Sequence, residues 1–469
     1  MSIKPPPGEG FAASASLVII GAGAAGLCAA LAAHEAGVEA FVLERDSAPR
    51  GSTALSAGLI PAACTRFQRS LGVEDSPALF AADLKRKAHD EANPAMVDLI
   101  ASKAGKTVEW LADRYGLPFS VVHDFDYPGH SARRMHGLPS RSGAELIDRL
   151  RQAAEQAAIP IIVDATVTAL YADAGRHVRG VEITRPDGAR DSLGCRALVL
   201  ACNGYGGAPA LVAQYIPEMI GALYFGHAGN CGDAVLWGQA LGAKLVHMSG
   251  YQGHGSVAHP HGILITWAAI MEGGFQVNTS GARFSDESLG YSEQAAVALA
   301  QPDGIAFDIF DERIAAIARQ FEDFRQAEAS GAIIEASTVE HLAERLNLPT
   351  EALAQNFAEV ELAKRMGAVD RFGRSFAAVA PLSPPFKAVK ITGALFHTQG
   401  GVAVDKQARV IGAQGAQLPN LFATGGAAAG ISGSRASGYL SGNGLLTAAV
   451  LGRIAGSSAA ALVKSFDAP

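Results

Sequence analysis

Residues 15–46 read ASLVIIGAGAAGLCAALAAHEAGVEAFVLERD. A short apolar run, Leu17 to Ile20, meets a glycine turn, then an alanine-rich helical stretch, then a second apolar run ending at Glu44. This order leaves little choice but a βαβ unit. Gly21, Gly23 and Gly26 form G-x-G-x-x-G: the first for the tight turn, the second for backbone approach to a pyrophosphate, the third for helix–strand packing. Unpaired N–H groups at the helix start suit phosphates. Glu44, with Arg45 beside it, stands where a carboxylate accepts hydrogen bonds from ribose hydroxyls. A glycine triplet alone is weak evidence; with both strands and the acid it predicts a bound dinucleotide.

The next stretch, RGSTALSAGLIPA (50–62), supplies Ser52, Thr53, Ser56 and Gly58. Small hydroxyl-bearing residues there suit a long cofactor lying flat across the chain. Far downstream, LPNLFATGG (418–426) is a late strand ending in glycines.

Between these ends the texture changes. Helical periodicity runs from Pro77 to Tyr115, with Ser76 as N-cap and Pro77 at the first helical position. A helix is predicted over Gly143 to Ala158, followed by alternating strand patterns and the buried-strand pattern CRALVLAC. From about Met248 to Phe396 a histidine-rich loop leads into charged helices, and the tail closes with a helix over Gly444 to Ala455. The predicted architecture is α/β: a Rossmann-like nucleotide-binding domain from residues 1–249 and 397–469, with an inserted α+β domain at 250–396.

The net charge of −7 gives no reason to expect nucleic acid or an anionic membrane surface. No leader pattern opens the chain, and apolar stretches are interrupted short of a membrane span. Five cysteines without metal spacing read as reduced thiols in a cytoplasmic protein. His259 and His261 in HPH lack companion ligands, so no metal is expected. GISGS lacks the context of a nucleophilic serine.

The glycine triplet, GSTALSAG, GNCGDAVLWGQALGAKL, VNTSGARFSDE, HTQGG and LFATGG occur in an order that resembles the flavoprotein family of soluble fumarate reductases, which includes the 3-ketosteroid dehydrogenases. The resemblance spans nearly the whole chain. It implies non-covalent FAD, since no histidine stands near Ser52 in the attachment pattern, and a small-molecule substrate held between flavin and capping domains. Implied cofactor contacts also include Ala25, Ala57, Val167, Gly204 and Asp233. Toward the C-terminus they include Gly425, Gly426, Ser441, Asn443, Gly444 and Leu445. The glutamate usual after the late strand is Gly426 here.

The resemblance also locates the substrate positions. Arg283 matches G-x-R-F, but the proton-donating arginine of fumarate reductases falls on Tyr291. Their substrate histidine falls on Phe396, with His397 at the following position, and their carboxylate-clamping arginine falls on Tyr439. His254 aligns with a carboxylate-binding histidine, and Tyr251 lies beside it. Two tyrosines with a glycine N–H resemble the ketosteroid dehydrogenases. That implies α-proton removal by Tyr291 and stabilisation of the ketone oxygen by Tyr439 with the Gly442–Gly444 backbone. Arg133, Arg134, His136 and Arg435 are candidates for a substrate carboxylate. The expected activity is α,β-desaturation of a small cyclic ketone or keto acid such as 4-oxocyclohexanecarboxylate, with oxygen or a redox partner as electron acceptor. The alternative is fumarate-reductase-like reduction of an enoate using Arg283, His254 and Arg435.

Overall fold

The computed structural model describes residues 2–123, 126–377 and 379–467. In the first of its two large sheets, strands Ile161–Ile162, Ala40–Leu43, Ala13–Ile20 and Arg190–Leu200 lie side by side and parallel. Leu17, Val18, Ile19, Leu198, Val199 and Leu200 are fully buried, which is why these strands read as unbroken apolar runs rather than alternating ones. The long Arg190–Leu200 strand serves further neighbours. Its start pairs antiparallel with Val178–Thr184, and Leu198 to Leu200 pair parallel with Leu421 to Ala423 of the late strand. Both ends of the chain thus build one sheet.

Helices Ala24–Glu35 and Asn443–Ser465 pack on each other and on this sheet. The predicted end at Ala455 falls short by ten residues because GSS looks like a breaker. Gly456 is instead a contact residue: a Cβ there would stand 1.9 Å from the Ala29 carbonyl oxygen. This 23-residue helix is long and apolar enough to cross a membrane, with mean hydropathy 1.5, but 67% of that stretch is buried inside the protein. Its apolarity is that of a core helix.

The predicted Pro77–Tyr115 helix is two helices, Pro77–Lys87 and Pro94–Tyr115. His89 and Asp90 take positive φ between them. The Ser76 hydroxyl accepts from the Leu79 N–H, as its N-cap position requires.

The second sheet is built round Phe386–Thr398, antiparallel to Ile305–Asp311 on one side and Tyr251–Ala258 on the other. Its own core holds Phe275, Phe310, Phe324 and Phe376. Leu223–Tyr224 crosses over to pair with Ala394 and Leu395, which ties the two halves together.

Candidate active site

A large cleft is lined from both halves. It holds about 1810 Å³ of space, open solvent at its mouth included. Gly21, Gly23, Ala25, Glu44, Arg45, Ser52, Thr53, Ser56, Ala57, Gly58 and Val167 line one end. Asp233, Gly425, Gly426, Ser441, Gly442, Gly444 and Leu445 line it too.

Three expected contacts lie outside the lining. Gly26 sits under the turn, where a Cβ would stand 1.9 Å from the Gly21 oxygen. Gly204 packs on Thr398, and Asn443 is buried with its amide donating to Ser432 Oγ. They stand behind the lining.

The residues present fit a phosphate-bearing dinucleotide. The Ala24–Glu35 helix starts at Gly23, which has no side chain to cap it, and Thr53 Oγ1 accepts from the Ala24 N–H at 3.1 Å; the helix start and its dipole border the cleft. Glu44 is locked in place by accepting from the Ala22 N–H at 2.9 Å and the Asp46 N–H at 3.1 Å. Asp233 Oδ2 pairs with Arg45 at 2.7 Å, while its buried Oδ1 has no partner among the described residues. A ribose or adenine donor would satisfy that acceptor. Ser52 Oγ accepts from the His227 N–H and from Asn230 Nδ2, which braces the loop at the cleft wall.

Gly426 is explained by what surrounds it. A Cβ there would stand 2.2 Å from Asn203 Oδ1 and 2.7 Å from His397 Nε2. Asn203 and His397 fill the space a glutamate would need, and both line the cleft. His397 Nδ1 accepts from Gln399 Nε2 at 2.8 Å, which leaves the proton on Nε2.

At the other end stands an aromatic cluster. His254 lies between two register shifts of its strand, irregularities of the kind that re-aim a side chain. Its ring stacks on Tyr291 at 4.9 Å and on Phe396 at 5.3 Å, with Trp267 edge-on at 5.5 Å. Phe396 stacks in turn on Phe225 at 4.5 Å. The His254 Nδ1 accepts from the Ser256 N–H. Burial holds the ring neutral by pushing its pKa down to about 3, so Nε2 is the donor.

Tyr291 and Tyr439 face each other with ring centroids 6.2 Å apart. The Tyr439 hydroxyl oxygen accepts from the Gly444 N–H at 3.2 Å, at the start of the Asn443–Ser465 helix. Burial pushes Tyr439 up to about 12 against the lowering effect of the Gly444 and Gly442 N–H groups. Burial, with Tyr439 beside it, raises Tyr291 well above 10, although a hydrogen bond with the Ser441 side chain opposes this.

The expected carboxylate-binding arginines are elsewhere. Arg134 is buried between Asp75 and Asp83. Arg283 is buried against Glu287 and Asp370. Arg435 is exposed and pairs with Glu91 at 2.7 Å, and Arg133 pairs with Asp126. His136 donates to the Arg134 carbonyl and accepts from Thr65, away from the cleft. Tyr251 is buried in the cluster of Tyr205, Val212 and Leu395. Among the described residues Arg45, held by Asp233, is the only arginine or lysine in the lining.

Asn203, Phe225, Asn230, Gln252, Thr266, Trp267 and Asp323 also line the cleft. Asn230 falls within GNCGDAVLWGQALGAKL, while Asn203 and Gln252 stand beside the expected Gly204 and His254; Phe225, Thr266, Trp267 and Asp323 carry no motif.

The FAD binding domain family matches residues 16–445. The chain is 28% identical over 450 residues to the NADH:fumarate oxidoreductase of Klebsiella pneumoniae, covering 95% of this chain but 48% of that longer protein. It overlays the open conformation of a flavocytochrome c3 fumarate reductase with TM-score 0.82 and 28% identity, over 97% of this chain and 79% of that one. The 3-ketosteroid-Δ4-(5α)-dehydrogenase of Rhodococcus jostii overlays with TM-score 0.76 and 25% identity, over 97% and 99%. With its glycine turn and locked Glu44 lining the cleft, the chain belongs to the FAD-binding-domain family of flavoprotein oxidoreductases.

Proposed function

We propose that the protein desaturates the Cα–Cβ bond of a small cyclic ketone, with residues 1–249 and 397–469 holding FAD and residues 250–396 capping the substrate. The observation that carries this reading is the Gly444 N–H to Tyr439 hydroxyl bond facing Tyr291. When bound, FAD would supply the hydride acceptor for the substrate β-carbon.

The chain's own groups handle the α-proton and the carbonyl. The Tyr439 oxygen takes its hydrogen bond from Gly444, so its own proton is left for the ketone oxygen. The helix N-terminus behind it polarises that donor. Gly444 therefore acts through Tyr439 rather than on the ketone directly. As the α-proton leaves, charge builds on the oxygen, and one preorganised donor there is worth about 3 kcal/mol. Tyr291 exchanges the α-proton. His254 and Phe396 wall the ring and keep water away.

Anaerobic mixing with cyclohexanone or a substituted cyclohexanone is expected to bleach the yellow holoprotein. If no cyclic ketone bleaches it, while fumarate or an aryl acrylate reoxidises the reduced flavin, the enoate-reducing reading takes over. The FAD is non-covalent in this proposal: acid precipitation is expected to leave all yellow colour in the supernatant, and colour retained in the pellet would refute it.

A further inference from the structure

Among the described residues, the substrate end of the cleft has a carboxylate and no arginine or lysine. Asp323 lines it from the first turn of the Glu322–Ala329 helix, which packs on the Ile263–Leu264 strand of the cap. Its neighbours Leu264, Thr266, Trp267 and Phe321 also line the cleft. Glu322 next to it turns outward to Arg325. Asp323 is half-buried, and among the described residues no hydrogen-bond or ion-pair partner is found for its carboxylate. Arg134, Arg283 and Arg435 are each held by acids of their own.

A carboxylate ligand entering here would lose hydration without gaining a cation, and would approach a like charge. A ligand carrying an ammonium or hydroxyl group would meet an acceptor already in place. We infer that Asp323 sets the substrate class: a cyclic ketone bearing a cationic or hydroxyl group directed at the cap, with carboxylates rejected. This inference rests on the ketone reading for the reacting end, but its test does not need turnover. Burial, then the neighbouring Glu322, raises the Asp323 carboxyl to about 6, so it is ionised at pH 8.

The experiment is titration of the oxidised holoprotein at pH 8, following the flavin absorbance, with 4-aminocyclohexanone, 4-hydroxycyclohexanone, cyclohexanone and 4-oxocyclohexanecarboxylate. The amine is expected to bind at least tenfold more tightly than the carboxylate. Asp323→Asn is expected to weaken the amine at least tenfold while leaving cyclohexanone unchanged. Asp323→Lys is expected to reverse the amine–carboxylate order. The assignment is overturned by three results: tighter carboxylate binding in the unmodified protein, an equal effect of Asp323→Asn on all four ligands, or no amine binding where cyclohexanone binds. Binding in the expected order without bleaching would instead sink the desaturation chemistry and leave the Asp323 assignment standing.

Discussion

Tyr291→Phe is expected to lower kcat for ketone dehydrogenation by about 10²–10⁴-fold, the usual contribution of a positioned acid–base group, while the protein keeps its flavin. The hydroxyl is the only atom removed, and the ring that stacks on His254 remains. The pH dependence tests the role more sharply. Burial and Tyr439 hold the Tyr291 phenol protonated throughout the neutral range. Dehydrogenation needs the phenolate, so its rate rises about tenfold per pH unit below the raised pKa. The reverse reaction, enone reduction, starts from the phenol and stays flat over the same range. The same shift makes the native state lose stability only as pH rises past about 10, where unfolded tyrosine ionises and the buried one resists. Stopped-flow flavin absorbance in both directions reads these slopes. Dehydrogenation independent of pH between 6 and 9, in protein still inhibited by Tyr291→Phe, would mean that the residue positions the ring and another group takes the proton.

The parts of the fold legible in the sequence were those governed by local chemistry. The Leu17–Glu44 unit needs its glycines, apolar strands and acid close together in the chain, and the structure places them as the spacing demands. The late strand was legible too, since LPNLFATGG ends in glycines, and it pairs with Arg190–Leu200. Helix ends were less legible. Gly456 reads as a breaker on propensity and proves to be a contact point, because the cost of a helical glycine is offset by close approach to Ala29.

The site divides along the same line. Tyr291 and Tyr439 sit at fixed offsets from motifs, and the fold brings them together. Trp267 and Asp323 reach the cleft through long-range packing that no short pattern records. The arginines mislead for a related reason. An arginine in a promising run looks available until its acids are known, and several of them come from distant segments. Asp75 and Asp83 stand 59 and 51 residues from Arg134, and Asp370 stands 87 from Arg283. Charge typing from sequence therefore overstated how many arginines line the cleft.

Arg134→Met is expected to destabilise the protein by about 3–5 kcal/mol, the cost of leaving buried charge unpaired. The guanidinium, Asp75 and Asp83 side chains are all fully buried. Arg134 donates two bonds to Asp75 at 2.9 Å and also bonds Asp83. Burial alone would raise the Asp83 carboxyl, but hydrogen bonds from Ser131, Arg134 and Arg86 hold it down at about 2. Without Arg134 the Asp83 carboxylate becomes easier to protonate, so the deficit is largest at pH 8 and shrinks toward pH 5. Adding Asp75→Asn and Asp83→Asn to Arg134→Met is expected to recover most of the loss, since the unpaired charges go with their partner. The damage also has a route to the site. Arg134 donates to His130 Nδ1, which fixes the proton on Nε2; that N–H bonds the Ser441 carbonyl, and the Ser441 side chain bonds Tyr291. Denaturant midpoints at the two pH values separate this account from the carboxylate-clamp role expected of Arg134. A clamp would leave the midpoint unchanged and raise KM for carboxylate-bearing substrates alone, whereas a buried counter-ion lowers the midpoint and shifts turnover of every substrate together.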